Sequence, residues 1–315
     1  MRQAVLTKSK QFEIFETDVP PVGERDVLIR VLTCGMCTGE LHVWADSSGG
    51  NYPIRLGHEV VGEIVEIGPA VTGVKVGDMV AAINQHSGFA EFCTTPVESV
   101  ALLPANLSPK TALGEPLACA VNATRRIGAT DESTVVLIGC GFMGLLLIQC
   151  LKAQGVANII AVDVRAESVQ RAKELGADVA LNATLDNVAE VVQQMTLGQG
   201  ADVVVEATGT QSGLDLCTDL VRIRGLLAVY GYHQGGTRQV NMQLWNWKGL
   251  DIVNAHERDV SVYVEGMKIG LDLVSSGKVD LASLITHRFP LDEINSAFGI
   301  AARKAEGYVK GTIDL

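Results

Sequence analysis

From Ser133 onward the chain alternates short, almost wholly apolar runs with amphipathic ones, a pattern that few folds accept. Thr134-Val-Val-Leu-Ile138 is a strand without a polar face, and Phe142 to Gln154 reads as a helix stopped at Gly155. Asn158-Ile-Ile-Ala-Val162 is the next strand, and Ala166 to Leu175, closed by Gly176, the next helix. Val179-Ala-Leu181, Asp202–Val205 and Leu226–Val229 continue the series. A strand apolar on both faces has to be covered on both faces, and a helix between successive strands makes those strands parallel. This half is therefore predicted to be an α/β domain with a doubly wound parallel sheet.

The turn after its first strand carries chemistry. Gly139-Cys140-Gly141-Phe142-Met143-Gly144 has the spacing G-x-G-x-x-G, follows an apolar strand and opens a helix, the context of a Rossmann dinucleotide site. Gly139 permits the tight turn, Gly141 lets the backbone approach a pyrophosphate, and Gly144 lets the helix pack on the sheet. The pyrophosphate would meet the free N–H groups at the helix start, beside Phe142 and Met143. Asp163 stands nineteen positions after Gly144, at the end of the next strand. It would accept hydrogen bonds from the adenosine ribose and repel a 2′-phosphate, which favours NAD over NADP. Arg165, two residues on, would offset that repulsion. The plainer role for Asp163 is a helix cap.

The first hundred residues follow another pattern, of short strands punctuated by glycine and proline. Val27-Leu-Ile-Arg-Val-Leu32 is a strand, Val60–Ile67 alternates until Gly68-Pro69, Met79–Ile83 follows Gly77-Asp78, and Phe89–Thr95 ends at Pro96. Such spacing suggests a partly open β-barrel. Pro109 to about Ile127 reads as helical with a break or fresh start at Pro116. Past Asn254 two helical stretches, roughly Val260–Ser275 and Leu291–Ala305, lead to a last strand from Val309. A chain of 315 residues has room for two such cores. Its net charge of −11 argues against a nucleic-acid partner. No apolar run is long enough to span a bilayer, and the N-terminus reads as a strand rather than a signal peptide, so the expected location is cytoplasmic. Seven cysteines, an odd number, do not form a disulfide framework.

Within the barrel half, Gly57-His58-Glu59 stands just before an alternating strand, and Cys34-Gly-Met-Cys37-Thr-Gly-Glu40-Leu-His42 lies upstream. Taken singly, Cys37 would be packing and His58 a satisfied polar residue, and Cys34-x-x-Cys37 would pass for a redox pair outside its usual strand–helix setting. Together, a thiolate, an imidazole and a carboxylate with an open position for water make the donor set of a catalytic zinc site.

These runs, with Gly77-Asp78-Met-Val80 and the glycine turn, resemble the zinc-dependent medium-chain alcohol dehydrogenase superfamily over nearly the whole chain. Glu115-Pro116-Leu117 and Leu41-His42-Val-Trp44 resemble its sorbitol (polyol) branch. The resemblance implies a GroES-like catalytic domain of residues 1–116 completed by 256–315, around a Rossmann domain of 117–255. It also implies one catalytic zinc held by Cys37 and His58, with Glu59 as ligand or close behind, and Glu115 binding directly or through water. Cys119, one helical turn from Glu115, is the alternative ligand. Glu40 would orient His58, and Lys310 would lie near the cofactor pyrophosphate. His256-Glu257-Arg258, at the return to the barrel, would either put His256 and Glu257 near substrate hydroxyls or serve only the domain junction; Trp44 and His86 are lesser pocket candidates, with packing the plainer role for Trp44.

Two departures stand out. The four-cysteine lobe of the family's structural zinc is missing, so one zinc per chain is expected. Gly39 stands where a serine or threonine often relays the substrate proton, leaving His42, Glu59, Glu115 or water as the exit. The expected reaction is NAD-linked oxidation of a secondary alcohol of a polyol, inositol or sugar to the ketone. A zinc-free quinone or enone reductase and a non-catalytic dinucleotide-binding protein are the competing classes. A homodimer or homotetramer joined through the cofactor-domain sheets is expected by analogy.

Overall fold

The computed structural model describes residues 1–46, 51–84 and 87–315. The chain opens with β1 (Arg2–Lys8), β2 (Gln11–Glu16), β3 (Asp26–Gly35), α1 (Thr38–Ala45), β4 (Ile54–Arg55) and β5 (Glu59–Ile67). It continues through β6 (Met79–Ile83), β7 (Phe92–Pro96), β8 (Val100–Leu102) and α2 (Gly114–Ile127). An alternating part follows: β9 (Thr134–Ile138), α3 (Phe142–Gln154), β10 (Asn158–Asp163), α4 (Ala166–Glu174), β11 (Val179–Asn182) and α5 (Val188–Met195). Next come β12 (Ala201–Glu206), α6 (Gln211–Leu220), β13 (Val221–Val229), α7 (Met242–Lys248) and β14 (Asp251–Asn254). The chain closes with α8 (Val260–Ser275), β15 (Ile285–Pro290), α9 (Ile294–Arg303) and β16 (Lys310–Asp314).

Two compact units result. One holds Met1–Cys119, Arg258–Gly277 and Leu281–Leu315, and the other Ala120–Glu257 with Lys278–Asp280. The divisions fall after Cys119 and Glu257 rather than after 116 and 255, so His256 and Glu257 go with the second unit.

The first unit is built on a seven-stranded sheet ordered β15-β16-β3-β5-β6-β8, with β7 also on β3, and a small sheet β2-β1-β4. The last strand is placed between β15 and β3, with Ile313 opposite Cys34 and Thr312 opposite Gly35. Its core centres on Phe298, whose ring lies 4.8 Å from Phe12 and 5.8 Å from Phe89. Phe89 is fully buried there. The strand expected from Phe89 accordingly starts at Phe92. The helix expected from Pro109 starts at Gly114, after a 3-10 turn over Pro109–Thr111, and Pro116 sits in its first turn, where the missing N–H breaks no helical bond. Leu291–Glu293 is likewise a 3-10 turn, and α9 starts at Ile294.

The second unit is a wholly parallel sheet ordered β11-β10-β9-β12-β13-β14. Leu137 and Val204 at its centre have no exposed surface, as expected of strands covered on both faces. The chain runs from β9 outward through β10 and β11, then returns to β12 on the other side. That reversal opens a crevice at the carboxyl end of β9, where doubly wound sheets bind ligands.

Candidate active site

The barrel unit gathers one cluster of potential metal ligands among the described residues. One donor atom each from Cys37, His58 and Glu59 lies within 4.8 Å of the others. Cys37 caps helix α1, its sulfur accepting from Gly39 N–H at 3.4 Å. Glu40, buried in the same first turn, ties the cluster together. Its Oε2 accepts from Cys37 N–H at 3.2 Å, while its Oε1 accepts from Gly57 N–H at 2.7 Å and meets His58 Nδ1 at 2.9 Å. A carboxylate only accepts, so His58 Nδ1 carries the proton and Nε2 is left to bind elsewhere. Gly57 has φ +103, a left-handed conformation, and a side chain there would strike the backbone of Gly88 and Phe89.

Glu59 begins β5 and is 2% exposed. Its Oε1 accepts from Lys310 Nζ at 2.6 Å, whereas Oε2 is buried with no hydrogen-bond partner. The pairing crosses β3, where Gly35 lies opposite Glu59, and a Cβ on Gly35 would fall 2.0 Å from Glu59 Oε2. An anionic oxygen left unbonded beside a thiol and an imidazole fits a cation of zinc type. The residues present therefore suit the metal that their chemistry implies.

The charges respond to this crowding. Burial raises the Glu59 carboxyl, Lys310 pulls it back, and the balance stays above the ordinary value. Burial would lower Lys310, but the Glu59 and Cys37 charges outweigh it and its pKa is raised. Burial also works against a charged His58, yet Glu40 and Cys37 push it well above the usual imidazole range. Lys310 is 4% exposed and donates to Glu59. The register of β16 turns it onto the metal-ligand cluster.

Glu115 and Cys119 lie one turn apart on α2. Glu115 Oε1 accepts from the Tyr263 hydroxyl at 2.5 Å, and Cys119 Sγ lies 2.6 Å from the same hydroxyl. Burial, then the Glu115 charge, raises the Cys119 thiol far above its ordinary value. Tyr263 carried no signal in the sequence, because it stands on α8, 148 residues from its partner.

In the second unit the glycine turn follows β9, with Gly139 at φ +106 and Gly141 as the cap of α3. A Cβ on Gly144 would lie 2.0 Å from the Gly139 carbonyl oxygen, so only glycine permits this closeness. Nothing within 4 Å would meet a Cβ on Gly141, which leaves the approach to the helix start open beside Phe142 and Met143. Asp163 Oδ2 accepts from Cys140 N–H at 2.8 Å, and Oδ1 accepts from Arg165 N–H at 2.9 Å and Nε at 3.3 Å. Asp163 thus fixes the turn, and Arg165 already neutralises part of its charge.

The remaining expected residues are scattered. His42 is exposed on α1. Trp44 is 7% exposed in the barrel core, its ring 5.9 Å from Phe298, and packs there. His256 packs between Tyr230 and Tyr232, with ring centroids 6.2 and 5.8 Å away, and Glu257 lies 3.9 Å from Arg126. His86 lies outside the described residues.

Comparison with known proteins agrees with this geometry. Residues 23–136 match the alcohol dehydrogenase GroES-like domain, and 143–271 match the zinc-binding dehydrogenase family. The chain is 30% identical to L-threonine 3-dehydrogenase of Pyrococcus horikoshii, with 94% of each chain covered. It is 28% identical to sorbitol dehydrogenase of Bacillus subtilis, covering 94% of this chain and 92% of that one. The crystal structure of 2R,3R-butanediol dehydrogenase from Bacillus subtilis superposes with a TM-score of 0.86 at 26% identity, covering 100% and 99%. The chain belongs to the zinc-dependent medium-chain alcohol dehydrogenase superfamily, on its polyol branch. It is a dehydrogenase with a GroES-like domain and a Rossmann domain.

Proposed function

We propose that this dehydrogenase oxidises a secondary alcohol of a polyol, inositol or sugar to the ketone, with NAD as hydride acceptor and one zinc at Cys37, His58 and Glu59. The observation that carries this reading is the buried, unbonded Glu59 Oε2 within 4.8 Å of the Cys37 and His58 donors. Glu115, and not a further cysteine, would complete the set directly or through water. Sorbitol dehydrogenases among the relatives support a polyol substrate.

Zinc, when bound, supplies a Lewis acid that lowers the pKa of an alcohol hydroxyl, and the nicotinamide takes up the hydride. The chain's own residues do the rest. Glu40 holds His58 with Nε2 directed away from its own carboxylate, and Gly39 N–H steadies the Cys37 sulfur. Lys310 balances the buried Glu59 charge and fixes one of its oxygens. Gly39 brings no hydroxyl, so the substrate proton leaves through Glu59, Glu115, water or His42, which is exposed on α1. In the second unit the α3 N-terminus takes the pyrophosphate and Asp163 the ribose, which supports NAD over NADP; Arg165 lessens that preference without reversing it.

Among the described residues β14 has a neighbouring strand on one side only, and Ile252 on it and Trp247 on α7 are exposed at 42% and 70%. That edge supports a homodimer joined through the sheets. No helix among the described residues is long and apolar enough to cross a membrane, which accords with a cytoplasmic enzyme.

The test is reduced-nicotinamide absorbance with zinc and NAD or NADP against polyols, inositols, sugars and simple alcohols, each with and without a chelator. Chelator-sensitive reduction of NAD by a polyol is the expected result. Reduction of a quinone or enone, unaffected by chelator, would replace this reading with the zinc-free reductase.

A further inference from the structure

Helix α2 carries two potential metal donors on one face, Glu115 and Cys119, spaced four residues apart and outside the close group of Cys37, His58 and Glu59. Both feel the cluster: the Glu115 charge acts on Glu59, and Cys119 interacts with Cys37 and Glu59. A thiolate is the softer and stronger zinc ligand, so a choice of the carboxylate over the thiol needs a cause.

Tyr263 supplies one. Its hydroxyl has a single proton, and Glu115 Oε1 at 2.5 Å is the acceptor that takes it. The Cys119 sulfur, 2.6 Å from the same oxygen and 3.7 Å from Glu115 Oε1, then acts as the donor, to the tyrosine oxygen or to the carboxylate. One hydroxyl thus fixes the rotamer of Glu115 and occupies the thiol of Cys119. We infer that Tyr263 is a positioning residue that selects the ligands of the metal centre, keeping Cys119 out of the set and Glu115 in place. Removing the hydroxyl frees Cys119 to turn toward the cluster and leaves Glu115 without its donor. The inference rests on reading Cys37, His58 and Glu59 as a metal centre.

Cobalt substitution tests both readings and separates them. The chelated protein is loaded with Co2+, bound metal is counted, and the thiolate-to-cobalt charge-transfer band is measured per cobalt. The wild type should show the band of a single thiolate, from Cys37, and Cys119→Ser alone should leave it unchanged. Tyr263→Phe should roughly double the band by adding a second thiolate, and Tyr263→Phe with Cys119→Ser should restore it. An unchanged band in Tyr263→Phe with cobalt bound overturns the role of Tyr263 and leaves the metal centre standing. A wild-type band that Cys119→Ser cuts in half also overturns it, without recourse to the tyrosine variant. Failure of the wild type to bind cobalt at all would overturn the metal centre and the selection together.

Discussion

Replacing Lys310 with methionine removes one partner of an ion pair that water scarcely reaches. The two side chains are 5% and 2% exposed, with Nζ and Oε1 2.6 Å apart. Methionine preserves most of the aliphatic stem, so the loss is chiefly electrostatic: Glu59 is left buried without its cation. Breaking a buried pair on one side costs about 3–5 kcal/mol, whereas exposed pairs contribute about 0–1 kcal/mol. Arg25–Glu98, at 3.9 Å with 69% and 53% exposure, is the internal control of the second kind. The assay is urea denaturation of the metal-free protein at pH 7, comparing Lys310→Met, Glu59→Gln, the double variant and Arg25→Met. Lys310→Met should fall by about 3 kcal/mol or more, the double variant should recover much of that, and Arg25→Met should shift by less than about 1 kcal/mol. The pH dependence has a definite sign. The folded-state pKa of Lys310 is raised above the ordinary 10.5, so while Glu59 is ionised the lysine's contribution is complete below that value and is lost as pH rises through the higher one; on the acid side it is lost as pH falls through the raised pKa of Glu59. A loss in Lys310→Met no larger than in Arg25→Met would refute the reasoning.

Other expectations can be checked separately. His58 is pushed above the usual imidazole range in the metal-free site, so zinc must displace its proton. Zinc affinity should therefore strengthen as pH rises toward the folded-state value, and calorimetry in buffers of different ionisation enthalpy should detect the released proton; affinity independent of pH would contradict this. Gly144→Ala puts a methyl 2.0 Å from the Gly139 carbonyl. It should destabilise by about 1–3 kcal/mol and weaken NAD binding, read by quenching of protein fluorescence. Asp163→Ala removes the acceptor of Cys140 N–H and, on the proposed reading, that of the ribose, and should weaken NAD roughly 10- to 100-fold while affecting NADP less. Equal losses for the two cofactors would mean that Asp163 serves only the turn.

The parallel sheet was legible because its signal is local. Thr134–Ile138 and Asn158–Val162 are apolar at every buried position, and Gly139 and Gly144 stand where the backbone itself needs them. Cys37, His58 and Glu59 were legible as residue types near strands and turns, and Glu40 as the partner of His58. Pairs made by distant segments were not. Lys310 meets Glu59 across 251 residues and Tyr263 meets Glu115 across 148, and no spacing rule reaches that far. The packing partner of Trp44 was out of reach for a related reason. The tryptophan's place on a short helix does not reveal that Phe298, from α9, covers it.

Strand order also explains why the metal cluster depends on the end of the chain. β3 lies between β5 and β16, and at one level it carries Gly35, opposite both Glu59 and Thr312. Any larger residue there would occupy the space of the Glu59 carboxylate. With glycine, the carboxylate lies over β3, takes the Lys310 ammonium on one oxygen and leaves the other for a metal ion. Without β16 the same carboxylate would be buried beside Cys37 and His58, under the Glu115 charge and with no lysine beside it, and burial would favour its neutral, poorly ligating form. The N-terminal segment supplies Cys37, His58 and Glu59, and the last strand supplies the charge that lets Glu59 bind as an anion. The barrel is split in sequence, and its metal chemistry is split at the same place.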